Sequence, residues 1–166
     1  MSALANRPHR TSAKNDSRER SEQNVPPIVA AVDGSGASRT AIGEAVRLAG
    51  ELSAPLAFVY VRRGPAGFFG APVYQRRLTN QMARAGRVLD RALAVAKSAG
   101  VQAEGEILEG SPRRRITEFA RDRRARLIVV GSRGRKLRQS VSTAVIRAAE
   151  RPVVVARSVS GLTAVA

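Results

Sequence analysis

Short runs of aliphatic residues alternate along this chain with longer stretches in which apolar residues return every three or four positions. The run that opens "IVAAVDGSG" at Ile28 is stopped by Asp-Gly-Ser-Gly, which predicts a buried strand entering a tight turn. Ser38 is placed to cap the helix that follows, with Ile42, Ala45, Ala49 and Leu52 on its apolar face. "PLAFVYV" (55–61) predicts a second strand, followed by a loop dense in Gly and Pro, "RRGPAGFFGAPV". A second helix carries Leu78, Met82, Ala85, Leu89, Leu93 and Ala96 along one face and stops at Gly100. "VQAEGEILEG" (101–110) alternates like a third strand. Ser111-Pro112 is a helix start, and Ile116, Phe119 and Ala120 form that helix's stripe. "LIVVG" is a fourth strand, a short helix spans about 140–150, and "PVVVA" is a fifth strand.

The strands are continuously apolar instead of half polar, which requires cover on both faces. Strict strand–helix alternation with such strands predicts a doubly wound α/β domain on a parallel sheet. Its limits are expected at 25–158. Residues 1–24 read as a disordered basic tail with almost nothing to bury, and 159–166 as a C-terminal tail.

Composition narrows the chemistry. At 166 residues and 43% hydrophobic content the chain suits one domain with a real core. It has no cysteine, and its one histidine is His9, in the polar leader. A Ser-His-Asp triad, an imidazole base and a zinc site built on His or Cys are therefore excluded from the domain. No apolar run reaches the roughly 18 residues of a membrane span, and the leader has no apolar h-region, so a cytoplasmic protein is expected.

The net charge is +16, from 29 Lys+Arg against 13 Asp+Glu, and nearly all the cations are Arg. Two readings stand side by side: a general preference for Arg over Lys, or a positive field that attracts phosphates, nucleic acid or another acidic partner. Arg113, Arg114, Arg115, Arg121, Arg123, Arg124 and Arg126 crowd the third helix and its exit, either as a solvated face or as such a patch. Aromatic content of 4% argues against a stacking platform for single strands.

Ligands of doubly wound sheets bind beyond the carboxyl ends of the strands, where strand order reverses. The candidate loops hold Asp33, Gly34 and Ser35 after strand one, Arg62 and Arg63 after strand two, and Gly131 to Gln139 after strand four. The last has the character of a phosphate loop. Gly131 and Gly134 allow close backbone approach, Ser140 and Val141 offer amides at a helix start, and Arg133, Arg135, Lys136 and Arg138 add charge. The alternative is that the glycines only turn the chain and that Asp33 only caps the turn into helix one.

"IVAAVDGS", "LIVVGSRG" and "SVSTAVIRAAERPVVV" together resemble the universal stress protein family, over about 26–157. The resemblance implies a five-stranded parallel sheet ordered 3-2-1-4-5 with helices on both faces, of the adenine nucleotide alpha hydrolase-like type. It also implies a homodimer, often paired through the last strand, and ATP between the ends of strands one and four in members that bind it, with Mg²⁺ accompanying the nucleotide. The family's pattern is Gly, two residues, Gly, nine residues, Gly, then Ser or Thr. Gly131 and Gly134 match its first two glycines, Ser140 its hydroxyl, Val141 the residue after, and Asp33 the aspartate near the nucleoside. Arg133 would add a direct phosphate contact. Gln139 stands in place of the third glycine, and Arg135 to Gln139 make a shorter loop than the pattern asks for. The expectation is a non-catalytic stress-response or sensor domain, since no general base is placed. Its rivals are a ligand-free dimerising scaffold and an electropositive binder of nucleic acid or another polyanion.

Overall fold

The computed structural model describes residues 25–64, 71–132 and 140–157. Within them the chain runs β1 (Ile28–Ala31), α1 (Gly36–Glu51), β2 (Leu56–Arg62), α2 (Ala71–Ser98) and β3 (Ala103–Glu109). It continues through α3 (Pro112–Asp122), β4 (Leu127–Ser132), α4 (Val141–Ala148) and β5 (Val153–Arg157). Every strand pairing is parallel, and the sheet order is β3-β2-β1-β4-β5. This is the doubly wound α/β fold that the apolar strands predict.

Two-sided burial explains why β1 is apolar at consecutive positions. Side chains of a strand alternate between faces. Ile28 and Ala30 pack with Ala41, Ala45 and Ala49 of α1 and with Leu89, Ala92 and Ala96 of α2. Val29 turns the other way, toward Ile116, Phe119 and Ala120 of α3 and Val145 of α4. Central placement in the sheet order thus leaves no polar position along Ile28–Ala30, all of which are fully buried.

Several local expectations are corrected. Ser35, not Ser38, caps α1: its Oγ accepts from the Ser38 amide at 3.2 Å. Ser38 is instead buried in the first turn, its Oγ accepting from the Asp33 amide at 3.1 Å. Met82 is exposed and Leu93 only half-buried, because the contact stripe of α2 runs through Ala85, Leu89, Ala92 and Ala96. The long helix begins at Ala71, earlier than the glycine- and proline-rich loop suggested, and α4 ends at Ala148. Ser111 does precede a proline-initiated α3, yet its side chain makes no capping hydrogen bond. The tails expected at 1–24 and 159–166 lie outside the described residues, as do Arg133, Gly134 and the rest of the loop to Gln139. No described helix is long and apolar enough to cross a membrane.

Candidate functional site

A cleft of about 760 Å³ opens at the carboxyl ends of β1, β2 and β4, where the strand order reverses between β1 and β4. One wall is aliphatic: Val59 and Val61 from β2, Val130 from β4, and Pro112 and Ile116 from α3. The opposite wall is polar, with Asp33 and Ser35 from the turn after β1, Ser38 from α1, Ser132 from β4, and Ser140 and Ser142 at the start of α4. Three helices, α1, α3 and α4, begin at this cleft; α3 opens with Pro112, which has no N–H, whereas α1 and α4 bring free first-turn amides. The first-turn N–H groups of a helix lack intrahelical acceptors and carry partial positive charge, so both starts favour an anion here.

The turn after β1 is rigid for local reasons. Asp33 Oδ1 accepts from the Ser35 amide at 2.9 Å, an Asx turn, and Gly34 takes φ +79°, where a side chain would be strained. Asp33 is exposed at the cleft's edge. It therefore has a demonstrable structural job in the turn into α1, whatever else it does. It is also the one ionisable group among the described residues that line the cleft.

Gly131 is explained by packing. It lies inside β4, paired with Ala156 of β5, so it does not turn the chain. A Cβ there would sit 2.2 Å from the carbonyl oxygen of Ala37 and 2.5 Å from its carbonyl carbon. The end of β4 and the first turn of α1 thus touch backbone to backbone. Ser142, a residue that sequence reasoning passed over, fixes the other side of this contact: its buried Oγ donates to the Gly131 carbonyl at 2.9 Å. Ser140 caps α4, accepting from the Thr143 amide at 3.3 Å, with Thr143 Oγ1 at 3.1 Å. Gly131, Ser142 and Ala37 therefore lock β4, α4 and α1 together around the cleft's mouth. Ser142 had one signal in the sequence: a serine inside the short helix, two places after the cap.

The structure brings Asp33, Gly131, Ser140 and Val141 together around one cleft. Arg133 and Gly134 fall outside the described residues. Arg62 is not part of the cleft's lining; it reaches sideways to pair with Glu109 of β3. Several arginines of the third helix also have partners. Glu118 takes Arg114 Nε at 2.7 Å and Arg115 Nη1 at 3.3 Å. The hydrogen bond from Arg114 holds the Glu118 carboxyl below its ordinary range. Arg123 pairs with Glu104, contacts Glu106 at 3.1 Å and covers the Phe119 ring at 4.9 Å. Most of this crowd is a neutralised helix face with packed stems.

Comparison with known proteins agrees with this geometry. The model of the universal stress protein family matches residues 24–157. A universal stress protein of Methanocaldococcus jannaschii, MJ0531, is 33% identical over 138 residues, covering 78% of this chain and 81% of that protein. Among solved structures, the universal stress protein of Archaeoglobus fulgidus in complex with dAMP is 26% identical with a TM-score of 0.64, covering 78% of this chain and 96% of its own. A universal stress protein in complex with cAMP is 27% identical with a TM-score of 0.61, covering 80% of this chain and 97% of its own. With the family model spanning the whole described fold, the chain belongs to the universal stress protein family.

Proposed function

We propose that the cleft between the ends of β1 and β4 binds an adenine nucleotide, and that the chain works as a non-catalytic binding domain. The observation that carries this reading is the cleft itself: about 760 Å³, aliphatic on one side and fed by two helix starts on the other. That size and lining suit a small ligand with a flat apolar part and an anionic part. The related proteins crystallised with dAMP and cAMP support the same ligand class. The base lies against Val61, Pro112 and Ile116, and Asp33 faces the ribose. Phosphate meets the main-chain N–H groups of Val141 and Ser142 in the first turn of α4. The Ser140 hydroxyl is already engaged with Thr143, so its contribution there comes second to those amides. Arg133 and Gly134 complete the phosphate side in this proposal. Mg²⁺, where ATP is the ligand, arrives on the phosphates, since no described cluster of three His, Cys, Asp or Glu could hold it.

The domain limits of 25–158, a cytoplasmic setting and a homodimer joined through β5 belong to the same proposal. β5 ends the sheet order, and its Val153, Val154 and Val155 are only half-buried. Sedimentation of a single species at monomer mass at tens of micromolar would remove the dimer.

Calorimetric titration with AMP, cAMP and ATP, the last with and without Mg²⁺, tests the binding. Saturable binding near one nucleotide per chain is expected, abolished by Val61→Trp with the circular dichroism spectrum unchanged. No heat and no rise in Tm with any of them would overturn it and leave the ligand-free scaffold.

A further inference from the structure

Among the described residues, one helix face that the sequence did not single out carries a row of arginines that no described carboxylate neutralises. Carboxylates of the described body sit mostly where they are used: Glu44 and Glu51 on Arg47, Glu104 and Glu106 on Arg123, Glu109 on Arg62, Glu118 on Arg114 and Arg115, and Asp122 on Arg121. Helix α2 receives almost none of them. From Ala71 to Ser98 it holds a single carboxylate, Asp90. Arg76, Arg84, Arg87 and Arg91 are all exposed, and no described carboxylate pairs with them.

Helical geometry turns these four into a stripe. At 100° per residue they fall within about 80° of one another, and they run about 22 Å along the axis. Arg77 flanks the stripe. The buried residues of the helix, Ala85, Leu89, Ala92 and Ala96, lie on the opposite side, against the sheet. The arginines are therefore aimed away from the domain by the same packing that holds the helix in place. A row of guanidinium groups along one helix face complements the regular negative charge of a nucleic-acid duplex, which presents about one charge per 1.7 Å of axis. A lipid surface fits less well, because interfacial helices set cations beside an apolar face that enters the membrane. Here the exposed side chains Tyr74 and Met82 lie well round the helix from the stripe, and the exposed Val73 and Val95, on or beside it, stand about 33 Å apart beyond its two ends, so no continuous apolar face accompanies the arginines.

We propose that the outer face of α2 is a docking surface for the phosphate backbone of duplex nucleic acid, without base specificity. Guanidinium groups bind phosphate oxygens through charge-assisted hydrogen bonds. Phosphate contacts carry no sequence information, so affinity comes from counterion release and depends steeply on salt. The surface is separate from the cleft, and a nucleotide in one does not need the other.

The test uses the full chain and a fluorescein-labelled 25-base-pair DNA duplex of arbitrary sequence, followed by anisotropy from 50 to 200 mM NaCl. Four phosphate contacts predict a log–log salt slope that is about 3.6 units shallower in the variant Arg76→Gln/Arg84→Gln/Arg87→Gln/Arg91→Gln than in the parent. Those contacts alone are worth on the order of 100-fold in affinity across that salt range. A second variant, Arg39→Gln/Arg113→Gln/Arg147→Gln/Arg151→Gln, removes the same charge from exposed positions elsewhere. It is expected to keep the parent's slope to within one unit. Equal losses in both variants would show the charge acting diffusely and overturn the proposal. So would flat titrations of the parent at 50 mM NaCl, or binding to phosphatidylserine vesicles in place of duplex. Equal Tm values of the two variants exclude unfolding as the cause.

Discussion

Replacing Gly131 by alanine separates packing from ligand approach as the reason for that glycine. The added Cβ would lie 2.2 Å from the Ala37 carbonyl oxygen, 2.5 Å from its carbon and 3.1 Å from its Cβ, whereas ordinary van der Waals contact begins at 3.4 Å. Relief demands that β4 and the first turn of α1 separate by about 1 Å. Neither side yields easily. Gly131 is held in the β4–β5 ladder and by Ser142, and Ala37 follows a capped helix start that also lines the cleft. Because the obstacle is backbone and not a side chain that can rotate, the cost sits at the top of the overpacking range, about 3 kcal/mol. That is a large share of the roughly 5–15 kcal/mol that holds a domain folded. For a domain of this size it lowers Tm by roughly 10 °C. The assay is urea unfolding of the ligand-free protein, followed by circular dichroism, with an unchanged m-value as the sign that stability alone has moved. Gly105→Ala is the control, since its Cβ would meet only the Leu89 side chain, at 3.4 to 3.5 Å. It should stay within about 0.5 kcal/mol of the parent. If Gly131→Ala is as stable as that control in the absence of ligand, the packing account is wrong and the glycine serves something else.

The other expectations concern the same locks and the surface charges. Ser142→Ala removes a buried donor to the Gly131 carbonyl and should cost about 1–2 kcal/mol by urea unfolding. A loss within experimental error would mean that water satisfies the carbonyl equally well. Gly43 lies exposed in the interior of α1, and a Cβ added there would meet nothing within 4 Å, so Gly43→Ala should raise stability by about 0.5–1 kcal/mol. A destabilised variant would point to a contact of that face. The Glu118 carboxyl titrates below its ordinary value because Arg114 hydrogen-bonds its charged form. Its stabilising effect is therefore present above the unfolded carboxyl pKa and is lost as pH falls through the folded one. An NMR titration should show the Glu118 carboxyl moving back to the ordinary range in Arg114→Gln, and no movement would contradict the pairing.

Fold and site were legible to different degrees, for a physical reason. Burial on both faces forces a strand to be apolar at every position, so β1 and β4 left a direct mark on composition, whereas the sheet order was legible only through the family resemblance. The start of α1 did not. Ser35 and Ser38 are both serines in the right place to cap, and only the φ and ψ of the turn decide which one lies outside the helix. Met82 misled because helical spacing fixes direction around the axis, while how far along its length the helix stays in contact with the sheet is set by tertiary packing. The charge pattern misled in the same way. Seven arginines close together in sequence at 113–126 look like a patch, yet carboxylates from β3 and from within the helix neutralise several of them. Four arginines spread over 76–91 do not look like one, and the helix gathers them onto a single face.

The motif around Gly131 is the instructive case. Glycine, hydroxyl and aspartate at Gly131, Ser140 and Asp33 read equally well as a phosphate cradle or as turn and cap chemistry, and the structure gives each of them a role in the fold. That does not count against a ligand. A cleft that must hold an anion against two helix starts needs those starts fixed, and residues fixing them are the ones beside the ligand. Gly131 lets α1 approach β4, Ser142 ties α4 to the same strand, and Ser35 and Ser140 end the two helices at the cleft. It follows that a loss of nucleotide affinity in any of these variants has two causes that stability alone cannot separate. Val61 is different: it lines the aliphatic wall, takes no part in these locks and is only half-buried, at the border of the cluster formed by Val59, Ile116 and Phe119. A bulky side chain there fills the cleft without touching the helix starts, so a loss of binding in Val61→Trp at an unchanged Tm is a loss of the ligand's space.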